Sequence, residues 1–324
     1  MILITAILTS ILSLVSPDSG LYSRVGLVRV DGSSTVFPIT EAVAEEFSES
    51  APKVRVTVGV SGTGGGFKRF VAKEIDISNA SRPIKANELS LCNKSFIKFI
   101  ELPVAIDGLT IVVNKKNDWV DNLTIHELNA IFEEGLEKWS DVRPEWPNKK
   151  IQVYSPGTAS GTFDYFKEVV IGKQGSMRSD MSVSEDDNVL VKGVMGDVAS
   201  IGFFGCAYYF ENEDKLRAVP IVNPKTDKPV APTAINIENS LYYPFSRPLF
   251  VYVNVKALRR PEVRDFVSFY IDHVDKLAEE VGYISLTSDM RAKVRQKFAE
   301  RHVGTHFLNV DGEQRHGPFE KLYK

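Results

Sequence analysis

A glycine-rich stretch that joins a strand pattern to a helix pattern constrains the fold of this chain most strongly. Valines alternate along residues 54–60, which predicts a strand with one buried face. Phe67, Phe70 and Val71 then recur at helical spacing, so a helix is expected to begin near Phe67. Residues 61–66 between them read SGTGGG. Small residues, two hydroxyls and the unpaired amides of a helix start together favour an anion.

The same succession of strand, hydroxyl-rich turn and helix occurs twice more. A strand pattern at residues 27–30 is followed by a turn in which Ser34 is placed to cap a helix, with Pro38 in its first turn. A third strand pattern leads into residues 155–162, SPGTASGT, and then into another helix. One such turn is commonplace, but three favour a shared function. Alternating strands and helices predict mostly parallel sheets, with a ligand at the carboxyl ends of the strands.

An arginine is placed to supply positive charge to these turns. A strand pattern at residues 75–80 delivers Ser81 and Arg82 to a turn. Arginine in this position is either a surface charge or a fork that grips an oxyanion through two N–H groups. The neighbouring hydroxyl-rich turns favour the second interpretation. A formal net charge of -3 argues against nucleic acid as the main partner but is compatible with a small anionic ligand.

The amino terminus and the cysteines bear on cellular location. Residues 1–15 are a short apolar run that suits an export signal, so residues 1–20 are interpreted as a leader. A core helix or a membrane anchor is the alternative. Cys92 and Cys206 would either pair in an oxidising compartment or remain buried free thiols.

Six stretches, taken together and in order, resemble one protein family. They lie between residue 31 and about residue 281 and read DGSSTVFPI, SGTGGGFKRF, DISNASRPI, DGLTIVVN, SPGTASGTFDYF and YPFSRPLF. The set resembles the periplasmic phosphate-binding proteins of the high-affinity phosphate ABC importer, the PstS family. Each stretch alone would be unspecific.

The resemblance implies an α/β fold of the type II periplasmic binding protein class, with two lobes that close over one phosphate in the cleft between them. Lobe one would comprise residues 26–107 and 246–310, and lobe two residues 108–245, with the first crossover at residues 107–108. Residues 311–324 would be a C-terminal tail.

The function implied is capture of inorganic phosphate and its delivery to the permease subunits of an ABC transporter. The protein would act as an extracytoplasmic monomer, periplasmic or secreted. Neither a cofactor nor a catalytic or metal-binding residue is implied.

The resemblance also implies a set of ligand-binding residues, each contributing a hydroxyl, an amide or a charge. They are Ser34, Thr35, Val36, Ser61, Thr63, Ser81, Arg82, Asp107, Ser160, Gly161 and Thr162. Ser34 would be a cap or a further ligand. Thr63 matches the ligand hydroxyl of the second turn best, and Ser61 is the alternative.

Two positions depart from the best-known members of the family. Pro156 stands where those proteins have a binding arginine, and Ser81 stands where they have a binding aspartate. Arg82 is therefore expected to supply the positive charge. The residue that supplies the carboxylate is left open.

A carboxylate matters because phosphate keeps a proton near neutral pH and sulfate does not. A buried anionic acceptor would accept that proton and repel sulfate. Asp107, at the expected crossover, is the first candidate and Asp164 the second, and for Asp31 a structural role is the alternative. If Asp107 reads the proton, Asp107→Asn should weaken selectivity for phosphate over sulfate.

Two other functions are compatible with parts of this sequence. An enzyme acting on phosphate esters could use the same anion cradle, but none of the five histidines lies in a glycine-rich turn. His302 and His306 have i, i+4 spacing without the glutamate of a metalloprotease motif. The third interpretation keeps the binding function and changes the ligand to sulfate, molybdate or another tetrahedral oxyanion.

Overall fold

A computed structural model describes residues 19–324 apart from 159, 173, 185, 310, 314 and 316–318. Nearly all of the predicted leader, residues 1–18, lies outside the described residues. The strands are β1 (Gly26–Gly32), β2 (Val54–Val60), β3 (Ile77–Ala80), β4 (Phe99–Asn114), β5 (Gln152–Pro156), β6 (Ser182–Ser184), β7 (Ser200–Gly205), β8 (Leu216–Ala218), β9 (Ile221–Asn223), β10 (Lys228–Val230) and β11 (Ser246–Asn254).

Helices flank these strands. They are α1 (Ser19–Ser23), α2 (Phe37–Ser50), α3 (Gly62–Val71), α4 (Ala86–Lys94), α5 (Ile125–Asn129), α6 (Trp139–Val142), α7 (Gly161–Phe166), α8 (Asp187–Gly196), α9 (Cys206–Glu211), α10 (Ala234–Glu238), α11 (Pro261–Glu280), α12 (Ser288–Ala299) and α13 (Phe319–Leu322). Short π-helical segments, Ala130–Glu134 and Lys167–Ile171, extend α5 and α7, and Ala257–Arg259 is a 3-10 turn. Within the described ranges, no helix is both long enough and apolar enough to span a bilayer.

Nine of these strands form one sheet. Its order is β2-β1-β3-β11-β4-β7-β5-β6, with β8 paired to β4. β1 runs parallel to β2 and β3, and β5 runs parallel to β6 and β7. The prediction of mostly parallel strands is confirmed for these two outer groups. The two central strands, β4 and β11, are instead antiparallel to their neighbours.

β4 connects the two groups of parallel strands. The expected crossover at residues 107–108 falls within β4, which is one continuous and fully buried strand. What changes there is the partner: residues 99–108 pair with β11, whereas residues 109–114 pair with β7 and β8. Because β4 is covered on both faces, its sequence is a nearly continuous apolar run.

The glycine-rich stretch is helical rather than a turn, so the predicted helix start near Phe67 is wrong. Helix α3 already begins at Gly62. Gly66 packs directly on the end of β1: a Cβ at Gly66 would lie 2.6 Å from the Gly32 Cα and 3.1 Å from the Asp31 carbonyl oxygen. This close approach outweighs the poor helix propensity of glycine.

The cap of α2 also differs from the prediction. Val36, not Ser34, occupies the N-cap position, and none of the described side chains caps the helix. Pro38 lies in the first turn as predicted. Ser34 is therefore not held by a capping hydrogen bond to α2.

Cys92 and Cys206 are both free and buried, which confirms the free-thiol alternative. Burial raises the pKa of the Cys92 thiol to about 11 and that of Cys206 to about 12. Both side chains therefore act as small apolar core residues near neutral pH.

The C-terminal segment is packed into the protein. Phe319 and Tyr323 are buried. The Phe319 ring stacks on Phe307 with centroids 6.0 Å apart, and the Tyr323 hydroxyl donates to the Glu101 carbonyl oxygen at 3.0 Å. Phe319, Leu322 and Tyr323 thus belong to the same core as β4.

Glu101 is a buried carboxylate beneath this segment. It accepts hydrogen bonds from the Tyr252 hydroxyl at 2.8 Å, the Thr305 hydroxyl at 2.7 Å and the His306 amide at 2.9 Å. Burial nevertheless raises the pKa of Glu101 to about 7.

This raised pKa predicts a specific pH dependence of stability. Between pH 4.5 and about 7 the folded protein keeps the Glu101 proton while the unfolded chain has lost it. The stability that the protonated group contributes is therefore complete below that window and is lost as pH rises through it. We expect the native chain to lose on the order of 3 kcal/mol relative to Glu101→Gln across the window. Denaturant unfolding of both proteins at several pH values measures this, and a pH-independent difference would contradict it.

Candidate anion-binding site

The segments that follow β1, β2 and β3 lie at one edge of the sheet, because these three strands are parallel. β11 extends past that edge. It is antiparallel to β3, and Phe250 pairs with Ala80, the last residue of β3. Arg247 therefore lies beyond the end of β3, beside the turn that carries Ser81 and Arg82.

A polar cavity of about 430 Å³ occupies this edge. We call it the anion cavity. Its lining combines hydroxyls, cations and carboxylates with the backbone of two glycines. The lining residues are Ser33, Ser34, Thr35, Gly62, Thr63, Gly64, Ser81, Arg82, Lys85, Asn87, Glu88, Asp164, Tyr165, Glu168 and Arg247. Five of the predicted ligand residues are among them, namely Ser34, Thr35, Thr63, Ser81 and Arg82.

A hydroxyl in the first turn of α3 pairs with one in the turn after β3. The Thr63 and Ser81 hydroxyl oxygens are 3.1 Å apart, and the Ser81 amide donates to the Thr63 oxygen at 3.1 Å. Ser61 is used differently, because its hydroxyl donates to the Asp31 carboxylate. Of the two alternatives in the glycine-rich stretch, Ser61 and Thr63, the geometry therefore favours Thr63.

Arg247 joins several parts of the site and was not identified from the sequence. It donates to Asp107 through Nε at 3.1 Å and to the Thr35 hydroxyl through Nη2 at 3.1 Å. Its guanidinium carbon lies 3.5 Å from the centre of the Tyr165 ring, and Nη1 is 3.6 Å from Glu168. The only available signal was its place in the YPFSRPLF stretch.

Tyr165 provides a neutral and fixed support for this guanidinium. Its hydroxyl donates to the Pro244 carbonyl oxygen at 2.5 Å. Burial holds the pKa of Tyr165 well above its usual value. The ring therefore offers an uncharged face on which Arg247 stacks.

Arg82 lines the anion cavity but is also held by a carboxylate. Its two terminal nitrogens donate to Glu88 at 2.9 and 2.7 Å, which is a bidentate pair. Glu88 also accepts the Lys85 amide at 2.8 Å, at the start of α4. An anion in the cavity would thus share Arg82 with Glu88.

The three candidate carboxylates have different surroundings. Asp107 is 4% exposed and bonded to Arg247, and it does not line the anion cavity. Burial raises the pKa of Asp107, against the effect of Arg247. Asp164 lines the cavity but is exposed, so it would become a buried acceptor only if the lobes closed over the anion. Asp31 pairs with Arg69, which supports a structural role.

Residues 160–162 of the third turn touch the first turn without lining the anion cavity. Ser160 caps α7 by accepting the Thr162 amide at 3.2 Å. A Cβ at Gly161 would lie 3.2 Å from the Thr35 Cα, so the turns are in contact there. The side chain of Val36, at the start of α2, is buried. In the structure these four predicted residues lie beside the cavity rather than around it.

The chemistry of the site is that of anion binding. In the described part of the chain, no group of three or more His, Cys, Asp or Glu side chains is placed to hold a metal ion. Two groups of parallel strands, two long connecting strands and a polar cavity at the strand ends define a two-lobed α/β binding protein.

Comparisons with known proteins agree with this class. Residues 19–273 match the model of the PBP superfamily domain. Protein SphX of Synechococcus elongatus is 50% identical, covering 87% of this chain and 84% of SphX. The phosphate-binding protein PstS of Staphylococcus saprophyticus is 42% identical, covering 83% of this chain and 82% of PstS.

Solved structures agree as well. A crystal structure of a possible phosphate binding protein from Planctomyces limnophilus is 47% identical, with a TM-score of 0.84, covering 86% of this chain and 100% of that one. An ABC-type phosphate transport receptor from Vibrio cholerae, 24% identical with a TM-score of 0.61, shares the fold. The chain therefore belongs to the PBP superfamily and, within it, to the family of the PstS phosphate-binding proteins.

Proposed function

We propose that this protein captures inorganic phosphate between its two lobes and delivers it to an ABC transporter. The observation that carries the proposal is the anion cavity, where the Thr35, Thr63 and Ser81 hydroxyls converge with Arg82 and Arg247. Cationic forks and hydroxyl donors suit a tetrahedral oxyanion. The similarity to the phosphate-binding protein PstS, which covers most of this chain, supports the same assignment.

The proposed lobes follow the sheet. Lobe one comprises residues 26–107 and 246–310, and lobe two residues 108–245. The change of partner along β4, between Gly108 and Leu109, supports this division. The packing of Phe319 and Tyr323 joins the tail to lobe one. Ligand contacts from both lobes would drive a hinge closure.

Closure is also the step that would bring the third turn to the ligand. Gly161 already contacts Thr35. A small rotation of lobe two about this contact would carry Ser160 and Thr162, on either side of Gly161, toward an anion held by Thr35. The amide of Val36, at the start of α2, would join from the opposite side.

We assign Asp107 to holding Arg247 and Asp164 to accepting the phosphate proton. The contact between Asp107 and Arg247 supports the first role, and the position of Asp164 on the cavity wall supports the second. Asp164→Asn should then lower the ratio of phosphate affinity to sulfate affinity about tenfold. Asp107→Asn should instead weaken the binding of both anions. Titration of each variant with both anions measures this. If only Asp107→Asn changes the preference, the roles are reversed.

The proposed function itself is tested by isothermal titration of ligand-free protein with phosphate and then sulfate at matched ionic strength. We expect one phosphate per chain, bound submicromolar, with no heat from sulfate. Equal binding of sulfate would favour the broader oxyanion alternative. Absence of phosphate binding by folded protein would overturn the proposal, and phosphatase activity lost with a chelator would instead support an enzyme.

The remaining assignments follow from the proposed function. The protein would act outside the cytoplasm, in the periplasm or secreted, after export directed by residues 1–20. It would work as a monomer without a cofactor or catalytic residue, and its lobe surfaces would contact the permease subunits of the transporter.

A further inference from the structure

A second cavity adjoins the anion cavity. It has a volume of about 340 Å³, within the range of small-molecule sites. The two cavities share Ser81, Arg82, Tyr165, Glu168 and Arg247 in their linings, so they meet at the two arginines. We call the second one the adjoining cavity.

Away from Arg82 and Arg247, the wall of the adjoining cavity is mostly apolar, with two further cations, Lys225 and Arg315, in its lining. Its apolar part is formed by rings and aliphatic groups from the segment before β11, from β11 and from the C-terminal segment. Six of these are Tyr243, Pro244, Pro248, Phe307, Phe319 and Leu322. An inorganic anion gains nothing from these apolar groups, whereas the carbon atoms of an organic group would be buried against them.

Two serines in the same wall point to hydroxyl groups on that ligand. The hydroxyl oxygens of Ser240 and Ser246 are buried and have no hydrogen-bond partner among the described residues. Ser246 is only 5% exposed. Buried polar groups are normally paired, so two orphaned hydroxyls lining one cavity are best explained by a ligand that completes them.

Resting on the proposed function, we propose that the site also binds a phosphate monoester with a short hydroxylated carbon chain. Its phosphate group occupies the anion cavity and contacts Arg82 and Arg247. Its carbon chain lies in the adjoining cavity, where its hydroxyls bond Ser240 and Ser246. A monoester keeps a charge of about -1.5 to -2 and three acceptor oxygens at neutral pH, so the anion cavity receives nearly the same group.

The experiment titrates the full chain with inorganic phosphate, methyl phosphate and glycerol 3-phosphate. Methyl phosphate is the matched control, because it is a monoester without the hydroxylated chain. We expect glycerol 3-phosphate to bind at least tenfold more tightly than methyl phosphate and to be displaced by phosphate.

Two variants locate the carbon chain. Ser246→Ala removes a hydroxyl that has no partner, so stability and phosphate affinity should be unchanged or improved. The affinity for glycerol 3-phosphate should nevertheless fall about tenfold. Val169→Phe adds bulk at a residue that lines only the adjoining cavity. It should prevent binding of the ester without weakening the binding of inorganic phosphate.

Each outcome decides the proposal. Phosphate binding without glycerol 3-phosphate binding would overturn the ester site and leave the proposed function intact. Ester binding that neither variant changes would overturn the placement in the adjoining cavity. If no phosphate compound binds to the folded chain, the proposed function itself fails.

Discussion

An Arg247→Gln variant that keeps its fold is expected to bind phosphate about 100-fold more weakly than the native chain. Arg247 is the cation that meets Asp107 from β4, Thr35 from the first turn and Glu168 beyond α7. A hydrogen bond to a charged group contributes roughly 1.5–3 kcal/mol, and 100-fold corresponds to about 2.7 kcal/mol. Glutamine preserves part of the shape but removes the charge that attracts the anion. Isothermal titration measures the effect after circular dichroism has shown that the variant is folded.

The same substitution leaves Asp107 buried without its cation, so stability should also fall. Arg260→Gln is the matched control. Arg260 pairs with buried Asp76, which precedes β3 and so lies at the edge of the sheet opposite the anion cavity. It should lower stability without changing phosphate affinity. An Arg247→Gln variant with native affinity would show that Arg247 only holds the lobes together.

The sequence predicted the parts of the site that depend on local structure. Strand and helix periodicities placed Thr35, Thr63, Ser81 and Arg82 at strand ends, and parallel strands bring such ends to one edge. Each of these residues lies within a few positions of a periodic segment. Their convergence therefore required no knowledge of distant pairing.

Arg247 could not be found in this way. Its position depends on β11 pairing with β4 in a register that sets Arg247 opposite Asp107, which is 140 residues away in sequence. Register between distant strands is determined by packing across the whole sheet. For the same reason, the sequence placed Asp107 near the crossover but did not reveal that its carboxylate faces an arginine.

In the glycine-rich stretch, local sequence rules predicted a turn where the structure has a helix. Three consecutive glycines disfavour a helix by roughly 1 kcal/mol each relative to alanine. Tertiary contact overrides this, because α3 must approach the backbone of Gly32 more closely than a side chain at Gly66 would permit. The glycines that predict a flexible turn are therefore required for a close helix-to-strand contact.

Gly66→Ala and Gly64→Ala should consequently change stability in opposite directions. Gly66→Ala places a methyl group 2.6 Å from the Gly32 Cα and 3.1 Å from the Asp31 carbonyl oxygen, and backbone atoms cannot rotate away. Overpacking of this kind costs about 1–3 kcal/mol, more than alanine gains as a helix former. At Gly64, two residues earlier in α3, a Cβ meets nothing within 4 Å. That variant should gain about 0.5–1 kcal/mol.

Denaturant unfolding of both variants separates close packing from chain flexibility. If the glycines served to keep the segment flexible, both alanines would stabilise the folded state by reducing the freedom of the unfolded chain. If close packing is the reason, only Gly64→Ala does so. Gly66→Ala must also push the first turn of α3 away from β1, and that turn carries Thr63 into the anion cavity. Phosphate affinity should therefore fall together with stability in Gly66→Ala, which links the packing of one methyl-sized space to ligand binding.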